Sequence, residues 1–409
     1  MARFDAVIVG AGPAGSTAAL CLATAGASVA LVDRRTFPRD KACGDLVGPR
    51  GVRLLGELGV DVPGAMHVGD MVLVGPSGRR ALLPALAGID YPDHALAISR
   101  VALDNALFEA AVAAGACPVR DVFRGLSPTG VRLAAMGDVS AGVVVGADGA
   151  TSKVAEEAGL VDTRRVLWGF ALRSYLDASV DLPHILLWEP QPWHLFPGYG
   201  WIFPTDDGRA NVGLGLAVAT DRSLSRQAGE QLGAFCDQLA RYGLLASERL
   251  DGAPRLGGWL KMGMVGTLPA RGAVLLAGDA AGLINPLQGE GIAQAMHSGR
   301  AAAEAILAGG RAGAAARYRE SLRLVDSHHR VNAPVQRGIV RHPRAVSVAG
   351  RVLTAPLVRT AAAGAWGLYW NDLVAGAAPS RHRRIAAGAT RVISTVTSRS
   401  RTNAWFDGH

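Results

Sequence analysis

The sequence predicts an α/β protein in which a parallel-sheet domain is interrupted by an antiparallel β-sheet lobe and followed by a helical region. Apolar runs that end in glycine-containing turns open the chain at residues 6–9 and recur at 143–147 and 273–277, as parallel strands do. Between the apolar runs at 143–147 and 273–277, residues 168–218 hold short β-like runs separated by turns, which favours an antiparallel sheet. We expect a discontinuous first domain (1–75, 95–160 and 268–330), an inserted lobe (76–94 and 161–267) and a helical C-terminal region (331–409).

The composition limits the class of protein. A chain of 409 residues is long enough for about two to three domains. Mean hydropathy is +0.21, yet no window holds the ~20 uninterrupted apolar residues of a membrane span. No basic segment precedes the first apolar run, so we expect no signal peptide. The four cysteines and ten histidines show neither a CxxC pair nor metal-ligand spacing, which favours reduced thiols in the cytoplasm and no metal site.

Positive charge is concentrated at the C-terminal end of the chain. Residues 330–409 hold twelve arginines and two acids, a balance of +10, while the whole chain carries +8. A basic region with apolar stretches is typical of peripheral contact with an anionic membrane, and a solvated helical tail is the alternative. No nucleic-acid-binding module is visible, so we expect no nucleic-acid partner.

The first glycine-rich turn has the setting of a dinucleotide-binding βαβ unit. A predicted helix (16–25) and a second apolar run (29–32) follow the turn. In a Rossmann-like fold the three glycines permit the turn, the close approach of a pyrophosphate and tight helix packing, and the helix N-terminus faces the phosphates. A carboxylate after the second strand can accept hydrogen bonds from ribose hydroxyls. The expected cofactor contacts here are Gly10, Gly12, Ala14, Gly15, Asp33 and Arg34.

The other elements follow in chain order. Ser99 and Arg100 introduce a helix predicted over 96–114, and the strand at 143–147 ends in Asp148. The predicted lobe strands are 168–175, 185–188, 200–203 and 211–218. The strand at 273–277 leads to Gly278 and Asp279, and a long helix is predicted over 291–307.

Three glycine-containing turns lie at Gly10–Gly15, Gly146–Gly149 and Gly278–Asp279. In this order they resemble those of the FAD-dependent hydroxylase and reductase superfamily. The resemblance implies a Rossmann-like FAD-binding domain of the glutathione-reductase and hydroxylase type. It implies that Asp279 binds the ribitol and that Arg100 pairs with the FAD pyrophosphate. Gly289 and Gly291 would let the backbone pass close under a flat ring, where a side chain would clash. The further cofactor contacts that it implies are Asp148, Gly278 and Ile292.

Two further stretches resemble the geranylgeranyl reductase family. One is Phe37-Pro-Arg-Asp-Lys-Ala-Cys43-Gly-Asp45, and the other is Tyr199-Gly-Trp-Ile-Phe-Pro204 with a later Gly-Leu-Gly at 213–215. Members of this family reduce isolated double bonds in isoprenoid chains of lipids, chlorophyll precursors or menaquinone. Flavin halogenases share the scaffold, but the Trp-x-Trp-x-Ile-Pro stretch and catalytic lysine that they carry are not found in this sequence.

The expected chemistry requires a hydride, a nearby acid and a dry pocket. Tyr199, Trp201 and Phe203 alternate along one strand and so share one face, which could wall such a pocket or simply fill the core between lobes. We expect Trp201, Phe203 and Pro286 to contact substrate, and Cys43, Tyr199 and Trp201 to be catalytic. Cys43 could donate or relay a proton, or it could be a small apolar filler. Asp45 could be the acid only if burial raises its pKa.

Three functions remain open at this point. The first is an FAD-dependent reductase of double bonds in a prenyl chain. The second is an FAD-dependent monooxygenase, an epoxidase or hydroxylase of a terpenoid or prenylated small molecule, which would need an almost identical pocket. The third is a prenyl-lipid carrier, as the Rab escort relatives are, although intact glycines in all three turns argue against lost FAD. No second Rossmann unit is present for NAD(P)H, so that donor would dock transiently, or another reductant would supply the electrons.

Overall fold

A computed structural model of the chain describes residues 3–85, 91–178, 180–187, 198–219, 222–245, 253–286 and 289–323, with isolated residues from 325 to 358. Position 188 of a predicted lobe strand and most of the predicted C-terminal region 331–409 lie outside these ranges. Within the described residues, no helix combines the length and the apolar character needed to cross a bilayer.

Eighteen strands and six α-helices are present among the described residues. The strands are β1 (Arg3–Val9), β2 (Val29–Asp33), β3 (Leu46–Val47), β4 (Met66–Val68), β5 (Met71–Val74), β6 (Arg80–Leu83), β7 (Ala95–Ala97), β8 (Cys117–Arg120), β9 (Phe123–Ser127), β10 (Gly130–Leu133), β11 (Gly137–Gly146), β12 (Leu167–Leu176), β13 (His184–Leu187), β14 (Gly198–Pro204), β15 (Ala210–Ala219), β16 (Arg255–Met262), β17 (Ala270–Arg271) and β18 (Val274–Leu276). The helices are α1 (Pro13–Thr24), α2 (Pro49–Glu57), α3 (Arg100–Ala113), α4 (Lys153–Glu157), α5 (Ala228–Arg241) and α6 (Ile292–Ser321), with 3-10 turns at Arg222–Gln227 and Gly278–Ala281.

The first domain is built on an eight-stranded sheet. Its order is β17-β18-β11-β1-β2-β8, and the hairpin of β9 and β10 extends from β11. Strands β18, β11, β1, β2 and β8 run parallel to one another, as the apolar runs predict. Helices α1 and α6 pack closely on each other because Gly299 has no side chain; a Cβ there would lie 2.2 Å from the carbonyl oxygen of Ala14. The predicted α/β fold class is confirmed.

The inserted lobe is built on a seven-stranded sheet of order β16-β12-β15-β14-β13-β5-β6. Its pairings are antiparallel except for β13 with β5, which is parallel. Because β5 pairs into this sheet, the sheet takes in residues from Met71 onward, a few positions before the boundary placed after residue 75. Helix α5 covers the outer face through Leu232, Phe235 and Leu239.

All three predicted helices have different bounds in the structure, and the helix expected over 16–25 is α1 at Pro13–Thr24. The helix expected from residue 96 begins at Arg100, because Ser99 caps it by accepting a hydrogen bond from the Ala102 N–H at 3.2 Å. Residues Ala95–Ala97 form β7, the middle strand of a small sheet with β3 and β4. The helix expected to end at 307 continues to Ser321 as α6, broken at Gly310, where φ is +54°.

Candidate active site

A cavity of about 270 Å³ lies between the first domain and the lobe. Among the described residues that line it, three are charged: Lys41, Arg100 and Asp279. They mark the end at the first domain, where Lys41 Nζ donates to Asp279 Oδ2 at 3.1 Å. The lobe end is formed by aromatic, aliphatic and glycine residues. Such a cavity can hold a molecule with one polar and one apolar part.

The first glycine turn forms a cradle that side chains would fill. A Cβ on Gly10, where φ is +102°, would lie 2.3 Å from the Ala147 carbonyl oxygen, and one on Gly15 would lie 1.8 Å from the Gly10 carbonyl oxygen. A Cβ on Gly12 would meet only the Arg39 guanidinium, at 3.5 Å. Gly10 and Gly15 are therefore required by the fold itself, whereas Gly12 leaves open space at the start of α1.

The N-terminus of α1 borders that space. Gly12 is its N-cap, with no side-chain cap, and Pro13 occupies the first helical position. The N–H groups of the first turn, including that of Ala14, are the donors that a helix offers to a phosphate. This arrangement fits the pyrophosphate of a dinucleotide.

Asp33 connects the end of β2 to the glycine turn. Its Oδ2 accepts the Ala11 N–H at 2.8 Å and its Oδ1 accepts the Arg35 N–H at 2.8 Å. The side chain is therefore fixed at the edge of the cradle, where a ribose hydroxyl can still donate to it. Arg34, predicted as its neighbour in the site, is exposed.

Arg100 lies at the polar end of the cavity and is 4% exposed. Its Nε and Nη2 donate to the two oxygens of Asp104, each at 2.7 Å, and Arg39 reaches the same carboxylate at 2.9 Å. Burial opposes the charged form of Arg100, but the Asp104 carboxylate outweighs it and raises the pKa, so the guanidinium stays charged. Asp104 thus holds two arginines near the cradle, of which the site prediction included only Arg100.

Asp148, also predicted to contact the cofactor, lies at the start of helix α4. Its carboxylate accepts hydrogen bonds from the Ser152 hydroxyl, the Lys153 N–H at 2.7 Å and the Val154 N–H at 3.1 Å. These bonds cap α4, and burial raises the pKa of the carboxyl. The turn that precedes it contacts Gly10 through Ala147, so this turn shapes the cradle with its backbone.

The last turn brings the third group of predicted residues to the cavity. Gly278 has φ +58°, and a Cβ there would lie 3.0 Å from the Ala14 Cβ, so this turn lies directly against α1. Asp279 follows it and is held by Lys41. Ile292 begins α6 and also lines the cavity.

The segment between the last turn and α6 borders the lobe. Pro286 is buried and lines the cavity. A Cβ on Gly289, where φ is +69°, would lie 2.7 Å from the Tyr199 hydroxyl oxygen, and one on Gly291 would lie 3.2 Å from Ile284. Gly289 therefore lets the backbone lie close to Tyr199, and Gly291 lets it lie close to Ile284; their role beneath a flat ring stays a prediction.

The lobe presents three rows of side chains across one face of its sheet, because alternate residues of a strand point the same way. The rows, read from the strand register, are Tyr199–Gly215–Ala171–Gly258, Trp201–Gly213–Arg173 and Phe203–Asn211–Tyr175. All four members of the first row line the cavity. The three predicted aromatics therefore share one face and all border the same cavity.

The first row forms an open floor, which we call the small-residue floor (Gly215, Ala171 and Gly258). A Cβ on Gly213, in the next row, would lie 2.2 Å from the Trp201 ring, so that ring covers Gly213. A Cβ on Gly215 would find its nearest neighbour at 3.9 Å. The floor is thus open at Gly215, with the Trp201 ring on one side, and at Gly258 it borders Ala42, whose Cβ would lie 3.3 Å from a Cβ added there.

Cys43 lies where the loop from the first domain meets this face. It is half-buried, lines the cavity, and its Sγ accepts the Asp45 N–H at 3.3 Å. Its carbonyl oxygen accepts from Asn211 Nδ2 at 2.9 Å. Burial, and after it the Asp45 carboxylate, raises the pKa of the Cys43 thiol. Burial likewise raises the pKa of Tyr199, so both groups carry their protons at neutral pH.

Several residues at the site escaped the sequence prediction. Asn211 and Tyr175 contact the Cys43 loop only because β15 and β12 lie in one register, and no local motif marks that register. Ala171 and Gly258 join the floor for the same reason. Gly215 had a signal, since the Gly-x-Gly at 213–215 places two missing side chains on one face of a strand.

Comparisons with known proteins identify the domain and its relatives. The family described as an FAD-binding domain matches residues 3–172. The chain is 34% identical over 318 residues to a menaquinone reductase of Mycobacterium tuberculosis, covering 74% of this chain and 76% of that protein. It is 31% identical over 333 residues to a geranylgeranyl diphosphate reductase of Rhodobacter capsulatus, covering 75% of each.

Solved structures share the fold. A geranylgeranyl bacteriochlorophyll reductase-like protein from Thermoplasma acidophilum aligns with a TM-score of 0.72 at 22% identity, covering 91% of this chain and 98% of that one. A flavin-dependent brominase aligns with a TM-score of 0.70 at 19% identity, covering 95% of this chain and all of that one. The scaffold alone therefore serves more than one chemistry, and the side chains at the cavity must distinguish them.

Proposed function

Since the chain belongs to the geranylgeranyl reductase family of FAD-dependent oxidoreductases, we propose that it reduces carbon–carbon double bonds in the prenyl chain of an isoprenoid substrate. The small-residue floor carries this proposal. It is an apolar strip of small residues that crosses three strands beside an aromatic wall and is open at Gly215, and a linear chain of isoprene units fits such a strip. The relatives named above act on menaquinone and geranylgeranyl diphosphate, which both bear prenyl chains.

The first domain would hold the cofactor with backbone and charge. The open space at Gly12 and the N-terminus of α1 would receive the pyrophosphate, with Arg100 beside it. Asp33 would accept from the ribose and Asp279 from the ribitol. Gly289 and Gly291 would allow the flavin ring to approach the backbone.

The lobe would orient the substrate and exclude water. An isolated alkene is unpolarised, so hydride delivery to one carbon needs a proton at the other. Reduced FAD, when bound, supplies the hydride. The Cys43 thiol would donate its proton from Sγ to the second alkene carbon and would recover it from solvent afterwards. Trp201, Phe203 and Tyr199 would keep the chain in line and the pocket dry.

Paired turnover followed by mass spectrometry tests this function. The FAD-loaded protein is mixed with a prenylated quinone, geranylgeranyl diphosphate or a prenylated aromatic compound, once with dithionite under nitrogen and once with NADPH in air. After any quinol has been reoxidised in air, we expect a gain of two hydrogens in the prenyl chain of the sample kept under nitrogen, and turnover with NADPH would identify a nicotinamide as one competent donor. A gain of one oxygen, in air only, would replace the reductase by the monooxygenase. A colourless purified protein without flavin absorbance would favour the carrier.

We further propose peripheral membrane contact through the basic C-terminal region. The balance of +10 over residues 330–409 supports it, because anionic lipid attracts clustered arginines. Deleting residues 379–409 should reduce co-sedimentation with vesicles of phosphatidylglycerol at low salt. Undiminished co-sedimentation of the truncated protein would remove this contact.

A further inference from the structure

Asp45 is a buried carboxylate with only half of its hydrogen bonds made. The residue is 3% exposed. Its Oδ2 accepts from Asn211 Nδ2 at 2.8 Å and from the Tyr175 hydroxyl. Its Oδ1 is buried, and no hydrogen bond reaches it from the residues that the structure describes. A half-satisfied buried carboxylate costs stability, so a role in the site is the better explanation for it.

The backbone of Asp45 also adopts an uncommon conformation. Its φ is +61°, the left-handed region that Asp and Asn tolerate better than other non-glycine residues. This conformation aims the Asp45 N–H at Cys43 Sγ, 3.3 Å away. The same loop is tied to the lobe by Asn211, whose Nδ2 donates to the Cys43 carbonyl and whose Oδ1 accepts from Trp201 Nε1 at 2.9 Å. Cys43 is therefore fixed against the aromatic wall through Asp45 and Asn211.

The cations nearest to Asp45 are engaged with other carboxylates. Arg173, from β12, donates from Nη2 to both oxygens of Asp40 at 2.6 Å. Arg100, from α3, is held by Asp104, and Lys41, in the same loop, is held by Asp279. The negative charge of Asp45 therefore lies next to the Cys43 thiol without an ion-pair partner of its own among the described residues.

The titration of the pair follows from this arrangement. Burial raises the pKa of Asp45 to about 6, while Tyr175, Asn211, Arg173 and Arg100 act in the opposite direction. Above that pH the carboxylate is charged, and ionising the thiol beside it would place a second negative charge in the same buried region. Arg100, Lys41 and the Asp45 N–H act to lower the pKa of the Cys43 thiol, but burial, and after it the Asp45 carboxylate, outweigh them and raise it.

We propose that Asp45 is a positioning residue that fixes Cys43 against the aromatic wall and keeps its sulfur in the protonated form needed to donate to an alkene. The inference rests on the proposed function, in which Cys43 is the proton donor. A thiolate at this place could not donate, and it would be open to oxidation or alkylation.

The pH dependence of Cys43 alkylation tests the inference directly. FAD-loaded wild type and Asp45→Asn are treated with iodoacetamide from pH 6 to 10, and modification of the Cys43 peptide is followed by mass spectrometry. Asn keeps the left-handed backbone and an acceptor for Tyr175 but removes the charge. We expect the alkylation midpoint of the variant to fall by about one pH unit, giving roughly tenfold faster modification near pH 8. Cys117, which is exposed, serves as the reference in each sample.

Two further variants separate charge from structure. Asp121→Asn removes another buried carboxylate, which accepts from the backbone at Ala135 and Met136 far from the cavity, and should leave the Cys43 midpoint unchanged. Asp45→Gly keeps the backbone freedom but loses the charge and both side-chain bonds, so an equal fall of the midpoint in Asp45→Asn and Asp45→Gly assigns the shift to the charge. An unchanged or raised midpoint in Asp45→Asn would overturn the inference.

The proposed function and this inference fail in different ways. If wild type reduces no prenyl substrate but the midpoint shift appears, the electrostatic role of Asp45 stands and the function falls. If wild type reduces the substrate but the midpoint does not move, the function stands and the role of Asp45 falls.

Discussion

The two sides of the cavity are built in different ways. On the side of the first domain, backbone forms most of the proposed cofactor site: glycines leave space, a helix N-terminus offers donors, and side chains such as Asp33 hold the turns. On the lobe side, side chains form the surface, and strand register decides which of them meet. A backbone site can be encoded in a short motif, whereas a side-chain wall is assembled from four strands that are distant in sequence.

Gly12→Val tests the backbone side and should have the largest effect. The new side chain would fill the space reserved for the pyrophosphate, so FAD should be lost almost completely. The fold should survive, because a Cβ at Gly12 meets only Arg39, at 3.5 Å. Flavin absorbance per protein and the circular dichroism of the purified variant measure the two effects.

Matched substitutions sharpen that result. Gly56→Val, at a helix position with nothing within 4 Å of the added Cβ, should retain FAD. Gly15→Ala should damage the fold itself, because its Cβ would overlap the Gly10 carbonyl oxygen. Normal flavin content in Gly12→Val would refute the assignment of the cradle.

Gly215→Leu tests the side-chain wall and should have the next largest effect. The added side chain would fill the small-residue floor, so turnover of a long prenyl substrate should fall by at least about fiftyfold, which is more than 2 kcal/mol of transition-state binding. FAD content should stay near normal, since Gly215 lies on the lobe sheet and not in the glycine turns. Steady-state kinetics and flavin absorbance measure the pair of effects.

A control for this substitution is available on the outer helix of the lobe. At Gly233 nothing lies within 4 Å of an added Cβ, so Gly233→Leu should change neither the turnover of the prenyl substrate nor the FAD content. Undiminished reduction of the long chain by Gly215→Leu would mean that the substrate does not lie on the floor.

The same contrast explains how much could be predicted from the sequence. The turns at Gly10–Gly15 and Gly278–Asp279 could be placed because each depends on neighbours in the chain. The face shared by Tyr199, Trp201 and Phe203 could be placed because strand alternation is also local. The contacts of Asn211 and Tyr175 with the Cys43 loop could not, since they need the pairing of β12, β15 and β14 and the docking of that loop. The prediction began helix α3 four residues too early, because residues 95–97 are as apolar as the helix. Only the pairing of these residues with β3 and β4 marks them as a strand.

Asp45→Asn joins the two sides, because Asp45 belongs to the loop of the first domain and bonds to the lobe. The pKa of Asp45 in the folded protein, about 6, lies above that of a free Asp. The protonated carboxyl therefore contributes stability in full below about pH 4, and this stability is lost as the pH rises through 6. Wild type should therefore lose stability relative to Asp45→Asn between pH 4 and 7, by at most on the order of 3 kcal/mol. Thermal unfolding of both proteins across this range measures the difference, with Asp61→Asn on the surface as the control. A constant difference in Tm between wild type and Asp45→Asn would mean that the carboxyl does not titrate in this way.

Trp201→Phe changes one side chain of the lobe wall and should have the smallest effect on turnover. The Nε1–H that donates to Asn211 Oδ1 is lost, which leaves a buried acceptor unsatisfied at a cost of about 1–2 kcal/mol. The outer ring of the indole, whose Cζ2 covers Gly213, is lost with it. Because Asn211 also holds the Cys43 carbonyl, kcat should fall several-fold while FAD binding is unchanged. Phe203→Leu provides the comparison: Phe203 lies opposite Asn211 on the neighbouring strand, and Leu shortens the wall without removing any hydrogen bond of the Asn211 side chain, so it should raise KM more than it lowers kcat. If both variants changed only KM, the bond from Trp201 to Asn211 would stabilise the aromatic side chains without positioning Cys43. The lobe side of the cavity would then act on substrate binding alone.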